Sequence, residues 1–576
     1  MAGSGLRAAC GIVAAGLALG IAELVSVPVG AGSAPLSAIG ATVVDHTPDG
    51  VREWAIDTLG TDDKLVLSLL MGVVALIVAA VAGIVERTSR PIGSTMFAVF
   101  GIVAAWAALE RPAADRTWVL PTIIGVGLAI VVLRWLIRRY EAALPGGSTA
   151  RLRGARAGFG GRIEAGDDER VVGAVEGSEK PTARSDFGAG DRDHPPVPGA
   201  DDEARLGARA APWPRASTTA AAQVDRRQVV RSIVGVGVLA VAAGIAGRVL
   251  GASVRSVSAE RAAVRLPTPK SPEPPVIPGA DLPIPGLTPY LTANSDFYRI
   301  DTALTVPQVS TDTWSLRIHG MVEREIRLSY ADLARREPVE RLVTLTCVSN
   351  PVGGDLIGTA RWLGYRLDEL LAEAGPHPDA DMVLSRSADG FTAGSPLAVL
   401  TDGRDALLAV GMNGEPLPVE HGYPARLVVP GLYGYVSATK WVTELEITRF
   451  DRAQAYWTRR GWSERGPIKT GTRIDTPRGA VAPGRVTIAG VAWAQHRGID
   501  AVEVQIDNGP WQPARLADQP SVDTWRQWSF EWNATAGSHT VRARATDGTG
   551  TVQTAEVADV IPDGASGYPA RTIRVG

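Results

Sequence analysis

The chain has 576 residues, a formal net charge of -3 and 45% hydrophobic residues. That length exceeds a single core and requires several domains, and the near-neutral balance excludes a general electrostatic partner such as nucleic acid. Its two cysteines, Cys10 and Cys347, stand at opposite ends and exclude a disulfide framework.

Five apolar stretches in the first half are long enough, or nearly so, to cross about 30 Å of hydrocarbon as helices. They are Ala8–Val27, Leu65–Val85, Ile92–Leu109, Trp118–Ile137 and Val229–Leu250, and the third is the shortest. Cys10 reads as an ordinary residue of the first helix, and none of the histidines falls inside a span. Glu23 lies within the first span, where a carboxylate is costly in lipid, so it should face a partner helix or mark a shallower span. Trp118 and Trp135 suit an interfacial aromatic belt. Arg87, Arg90, Arg134, Arg138 and Arg139 mark the cytoplasmic side, and the acidic loop Asp45–Lys64 the outside. Residues 1–140 are therefore expected to form a four-helix transmembrane region with an inside N-terminus.

Residues 141–224 are rich in Gly, Ala, Arg, Asp and Pro without apolar periodicity, as in a disordered cytoplasmic linker. The next span opens Asp225-Arg226-Arg227-Gln228-Val229-Val230-Arg231. This is similar to a twin-arginine export signal, with ordinary positive-inside charges as the alternative. Residues 225–250 are read as a signal anchor, since no small-residue cleavage site follows. Residues 251–285 are proline-rich and predict a stiff spacer holding the next domain away from the bilayer.

From 286 to 452 the patterns mix. Trp314–Gly320 and Arg426–Pro430 predict strands, and Tyr330–Arg335 and Leu367–Ala374 short helices, giving an α+β domain. From 470 to 576, strand-like runs at Arg485–Trp493, Val502–Ile506, Trp525–Trp532 and His539–Ala545 alternate with turn signals at Asp507-Asn508-Gly509 and Asp547-Gly548. An immunoglobulin-like β-sandwich is expected. Trp511, Trp525, Trp528 and Trp532 are candidates for its core or an interface.

Cys347 ends the apolar run Leu342-Val343-Thr344-Leu345-Thr346. A single thiol at a strand end can be a metal ligand, a nucleophile or a small buried hydrophobe. Its context is more specific. Leu291–Arg299, Thr344–Asn350, Thr359–Gly364 and the long run Met412–Trp441 together resemble the sulfite oxidase superfamily over about half the chain.

The resemblance implies a molybdopterin-binding oxidoreductase domain followed by a dimerisation domain, hence a homodimer. Cys347 becomes the protein thiolate on molybdenum and the catalytic residue, a role that suits soft sulfur. Oxygen-atom transfer chemistry would belong to the cofactor, with the protein supplying position and electrostatics. Asn294, Phe297, His421, Arg426, Ser437 and Lys440 become cofactor-binding residues. An anionic pterin phosphate needs fixed cations and hydrogen-bond donors of this kind, although each residue singly also reads as an ordinary loop, core or surface residue.

Three departures separate the chain from the sulfite oxidases themselves. Pro351-Val352 stands where they carry paired arginines, Val410 stands where they carry the active-site tyrosine, and Arg299 is one residue out of register with their first active-site arginine. A pocket poorer in charge and lacking the phenol favours a neutral or larger substrate, and reduction of an S-oxide or N-oxide, including methionine sulfoxide, is the second reading. With no histidine in the spans, haem in the anchor is not expected. Electrons would pass to a separate carrier, with a quinone or cytochrome system as candidates. The other classes weighed are a membrane-anchored binding module that has lost the chemistry, and a transporter formed by the first four spans.

Overall fold

In the computed structural model, residues 2–48, 63–111, 114–144 and 226–576 are described, with isolated positions at 50, 51, 54 and 58. Residue 225 and nearly all of the 141–224 linker lie outside the described residues.

Helices α1 (Ala2–Val29), α2 (Pro35–His46), α3 (Asp63–Val85), α4 (Ile92–Leu109), α5 (Leu120–Ala142) and α6 (Arg226–Arg255) precede the first sheet. Five segments, Ser4–Val29, Lys64–Val85, Ile92–Leu109, Arg116–Ala142 and Arg226–Ala263, are long and apolar enough to cross a membrane by length and composition. α1 and α3 approach closely, because a Cβ on Gly11 would lie 2.0 Å from the Ala79 carbonyl oxygen. Small residues give such helix pairs their contact. α2 was not anticipated: it falls in the stretch between the first two spans, and its apolar pattern is too short to stand out as a crossing.

The expected spacer is different in the structure. α6 runs on to Arg255, and a short helix, α7 (Ser258–Ala263), follows. From α7 to Pro285 the chain is bonded along the surface of the next domain and does not hold it at a distance. Glu260 accepts from the Thr311 amide at 2.7 Å and from the Tyr423 hydroxyl at 2.8 Å. Lys270 donates its amide to Pro338, and the Arg361 guanidinium reaches the carbonyls of Glu273 and Pro274. Proline suits this course because an extended segment with few amide donors is satisfied by donors from its neighbour.

Two sheets follow, the first mixed and the second antiparallel throughout. In the first, the order is Ile326–Ser329, Ser315–Gly320, Val442–Thr448, Met382–Ser387, Thr392–Pro396, and only Ser315–Gly320 with Val442–Thr448 is parallel. In the second, Val339–Thr346, Ile357–Arg366, Leu407–Met412 and Glu415–Pro416 pair in that order, and Arg426–Val428 joins Leu407–Met412. One apolar core, including Leu316, Leu370, Leu427 and Leu445, runs beneath both. The helix Leu367–Ala374 stops at Gly375, whose φ of +68° is the left-handed cap that glycine supplies at least cost.

The C-terminal region is two four-stranded sheets sharing a core of Ile488, Trp528, Val504 and Ala543. The turn at Asp507 and the strands around it fall where the pattern predicted. Trp525 and Trp528 are fully buried and Trp532 nearly so. Trp525 belongs to the core of the preceding domain, donating to the Tyr290 carbonyl at 3.0 Å. Trp511 instead stands at the periphery against Tyr568, beneath the Arg544 guanidinium.

Candidate functional site

The second sheet delivers the site. Val339–Thr346 ends at Thr346, and Cys347 follows at once, turned out of the ladder into a loop closed by its own bonds. The Cys347 amide donates to the Leu356 carbonyl at 2.9 Å, and the Asn350 amide to the Cys347 carbonyl at 3.2 Å. The Asn350 side chain then accepts from the Leu356 amide at 2.9 Å. Burial pushes the thiol up, while the amides of Val348 and Ser349 and the Ser349 hydroxyl oppose it. Cys347 as a residue is nonetheless only partly covered, and the loop bonds hold its backbone in place.

Arg426 opens the strand paired to Leu407–Met412, opposite Ala409. It is buried, at 5% exposure, and among the described residues no carboxylate pairs with it. Its donors reach only carbonyls: His421 at 3.1 Å, Leu427 at 3.4 Å and Ala438 at 3.5 Å. Its charge also lies 5.1 Å from the centre of the Trp362 ring. Burial pulls its pKa down to about 10. A buried cation without a counter-ion is expensive, and an anionic ligand is what this arrangement lacks.

His421 lies beside it, 3% exposed, with Nε2 3.2 Å from the Asn294 carbonyl. Burial first, then the Arg426 charge, lowers it to about 4, so the ring is neutral at pH 7. Gly422 has φ +111°, and a Cβ there would lie 3.0 Å from that of Arg426 and 3.1 Å from that of Lys440. That close approach draws the His421, Arg426 and Lys440 segments into one cradle. Phe297 packs edge-on to both Trp362 at 5.7 Å and His421 at 5.6 Å. Asn294 accepts from the Asn413 side chain at 2.8 Å and donates to the Met412 carbonyl at 3.4 Å.

The remaining two candidates are already engaged. Ser437 is fully buried and donates to the Tyr433 carbonyl at 2.9 Å. Lys440 pairs with Asp301 at 2.9 Å. Burial lowers Lys440 to about 8, with Asp301 resisting. Asp301 also takes Arg299 at 2.8 Å and Lys64, from the start of α3, at 2.9 Å. Burial alone would raise its carboxyl, but the three cations outweigh burial and hold it well below the usual range.

Tyr298 was not singled out from the sequence. It stacks on Phe297 at 5.3 Å, and its phenol lies within electrostatic reach of both Cys347 and Arg426; burial, then the Cys347 charge, push it up. Tyr298 is a phenol of this region at a position other than 410, where Val410 stands as the resemblance marked it. Its signal was adjacency to Phe297 in Leu291–Arg299, but the alternation that would turn it to the same side is absent from an irregular loop. Val410 is 1% exposed within the core, and Arg299 turns to Asp301.

An oxidoreductase molybdopterin binding domain matches residues 303–457. Sulfite oxidase of Gallus gallus is 29% identical over 322 residues, 47% of this chain and 70% of that protein. The mitochondrial sulfite oxidase of Homo sapiens is 30% identical over 298 residues, 43% and 54% of the two chains. The uncharacterized oxidoreductase YuiH of Bacillus subtilis is 32% identical over 153 residues, 27% of this chain and 74% of that one. Among solved structures, the sulfane dehydrogenase SoxCD of Paracoccus pantotrophus aligns with 24% identity and a TM-score of 0.45, covering 50% of this chain and 82% of that one. The match spans about half the length of the mammalian relatives. Fold and matches together define a molybdopterin-binding oxidoreductase domain. The chain belongs to the sulfite oxidase type of that family.

Proposed function

We propose that this protein is a membrane-anchored molybdenum-cofactor oxidoreductase whose catalytic domain stands outside the cytoplasm and transfers an oxygen atom to or from a substrate. The observation that carries it is that Cys347, held by its loop, and the buried cation Arg426, with no carboxylate partner among the described residues, both lie within electrostatic reach of Tyr298. Cys347 holds the metal, and Arg426, His421, Asn294 and Phe297 hold and orient the pterin. Ser437 and Lys440 serve its phosphate end, Lys440 only once it is shared away from Asp301. The bound group supplies the redox and oxygen-transfer chemistry. The chain fixes the sulfur, presents a neutral imidazole and a permanent cation to an anion, and screens the site with Trp362 and Phe297.

Membrane topology has its own support. The positive-inside pattern puts the end of α2 and the start of α3 outside, and these ends touch the oxidoreductase domain: Lys64 bonds to Asp301, and Arg460 donates to the Asp45 carbonyl at 2.9 Å. An extracytoplasmic domain carrying a cytoplasmically inserted cofactor requires export in the folded state, which is the role assigned to Arg226 and Arg227. Replacing both with Lys is expected to trap the domain inside, as judged by protease accessibility. A homodimer through the C-terminal sheets, and their immunoglobulin-like character, complete the proposal.

Burial of Val410 and the turn of Arg299 toward Asp301 leave less charge for a small dianion, which favours an S-oxide or N-oxide substrate as the second reading. The deciding measurement is molybdenum and pterin content of the full chain purified from its own membranes. About one equivalent of each is expected from the one-ligand site, with turnover abolished in a folded Cys347→Ser protein. A folded sample with neither metal nor pterin would refute the proposal.

A further inference from the structure

A cavity of about 1760 Å3 lies where the helices meet the oxidoreductase domain. α1, α2 and α6 form one side, with Glu23, Ala41, His46 and Gly247 on the lining. Residues 302–309, Val419 and Glu420 form the other.

That second side is also the back of the cofactor cradle. Val419 and Glu420 immediately precede His421 in one short turn. Lys440 donates to the Glu420 carbonyl at 3.3 Å, and Trp441 to the Val419 carbonyl at 2.8 Å. Arg299, on the cavity lining, follows Tyr298, whose phenol lies within electrostatic reach of Cys347 and whose ring stacks on Phe297 at 5.3 Å. Cavity and cradle are two faces of one wall.

The lining indicates what the cavity takes. Glu23 is an ionisable group inside an apolar helix, and such groups mark paths for protons, ions or substrates. It packs on α6 at Gly247, where an added Cβ would lie 2.8 Å from its own. Arg111, Arg255 and Arg460 line the cavity, and the Nε atom of each is buried with no hydrogen-bond partner among the described residues. The guanidinium groups on this lining are donors suited to a ligand with carbonyl acceptors. Arginines and carboxylates on the lining nearly balance, unlike a site built for a lipid phosphate. Walls built from apolar helices open to a small amphipathic ligand from the bilayer, whereas a protein carrier needs an exposed surface.

We propose that this cavity binds a lipid-soluble quinone that exchanges electrons with the metal centre across the shared wall. The inference rests on the cofactor reading above. Oxidation of the quinol breaks its two O–H bonds: two electrons leave through the wall to the centre, and two protons pass to Glu23 and His46 and on to water. Reduction of the quinone is the reverse. The arginine donors hold the carbonyl oxygens, and the tail lies along α1 and α2.

The test uses the full chain in lipid nanodiscs, with an azido-quinone photolabel and a quinone titration read by tryptophan fluorescence. Saturable binding and labelling of α1, α2 or residues 302–309 are expected. Ala41→Trp, and separately Thr305→Trp on the opposite wall, should weaken binding by about tenfold or more with molybdenum content unchanged. Absence of saturable binding in protein that holds molybdenum and pterin would overturn the quinone site and spare the enzyme. So would labelling elsewhere, or binding unaffected in both variants. Quinone binding by natively purified protein that holds neither molybdenum nor pterin would overturn the cofactor reading and, with it, the electron exchange.

Discussion

The helical region and the oxidoreductase domain both carry long apolar runs, yet they dispose of them in opposite ways. In the helices, large side chains face outward: Leu69 is 62% exposed, Ile102 70% and Val238 64%. In the oxidoreductase domain, Trp362, Leu408 and Leu427 are completely covered. One region buries its apolar surface against itself, and the other leaves it facing outward on helices long and apolar enough to cross a membrane. Charge follows the same division: the domain interior spends ionic groups on Arg426 and the Asp301 cluster, whereas the apolar helices keep most of theirs toward their ends.

The contrast can be broken most severely at Asp301. Asp301→Asn strands Lys440, Lys64 and Arg299 together, and a loss of about 3 kcal/mol is expected, seen as a lower melting temperature of the solubilised full chain. Adding Lys440→Met should recover part of it; an unchanged melting temperature in Asp301→Asn would show the cluster to be inert.

Two lysines sharpen the comparison between regions. Val238→Lys in α6 should cost about 3 kcal/mol of membrane insertion. Val557→Lys, at a position 85% exposed in a loop of the C-terminal region, should change stability by less than about 0.5 kcal/mol. Equal effects in glycosylation-mapped insertion and thermal melts would erase the distinction.

The last effect is a slope. His421 is held near 4 against an ordinary value of 6.5, so the unfolded chain takes up a proton that the native site refuses. Its contribution is complete above pH 6.5 and is lost as pH falls toward 4, up to roughly 3 kcal/mol for cofactor-free protein. Stability against pH should flatten over that window in His421→Gln; the same slope in both proteins would exclude the imidazole as its source. Because a bound anion would raise the imidazole pKa, cofactor-loaded protein should also show a shallower slope.

What could be read from the sequence divides along physical lines. Leu367–Ala374 and Gly484–Trp493 were legible because helical and alternating periodicities survive in local sequence. Cys347, His421 and Arg426 were legible as members of one site only through the resemblance, since the sheet that joins them pairs Ala409 with Arg426 across a long separation. Tyr298 and the Asp301 cluster were not legible. The first lies in an irregular loop, and the second joins residues 64, 299, 301 and 440, whose proximity is a property of tertiary packing alone.

The proline-rich stretch before residue 285 has a practical corollary for anyone cutting the protein. A fragment beginning at 286 would be stripped of the partners of Arg361, Thr311 and Tyr423, and would expose Val257's place in the apolar cluster around Trp362. A faithful fragment of the oxidoreductase domain therefore has to start ahead of Val257, directly after the apolar helix α6 ends at Arg255.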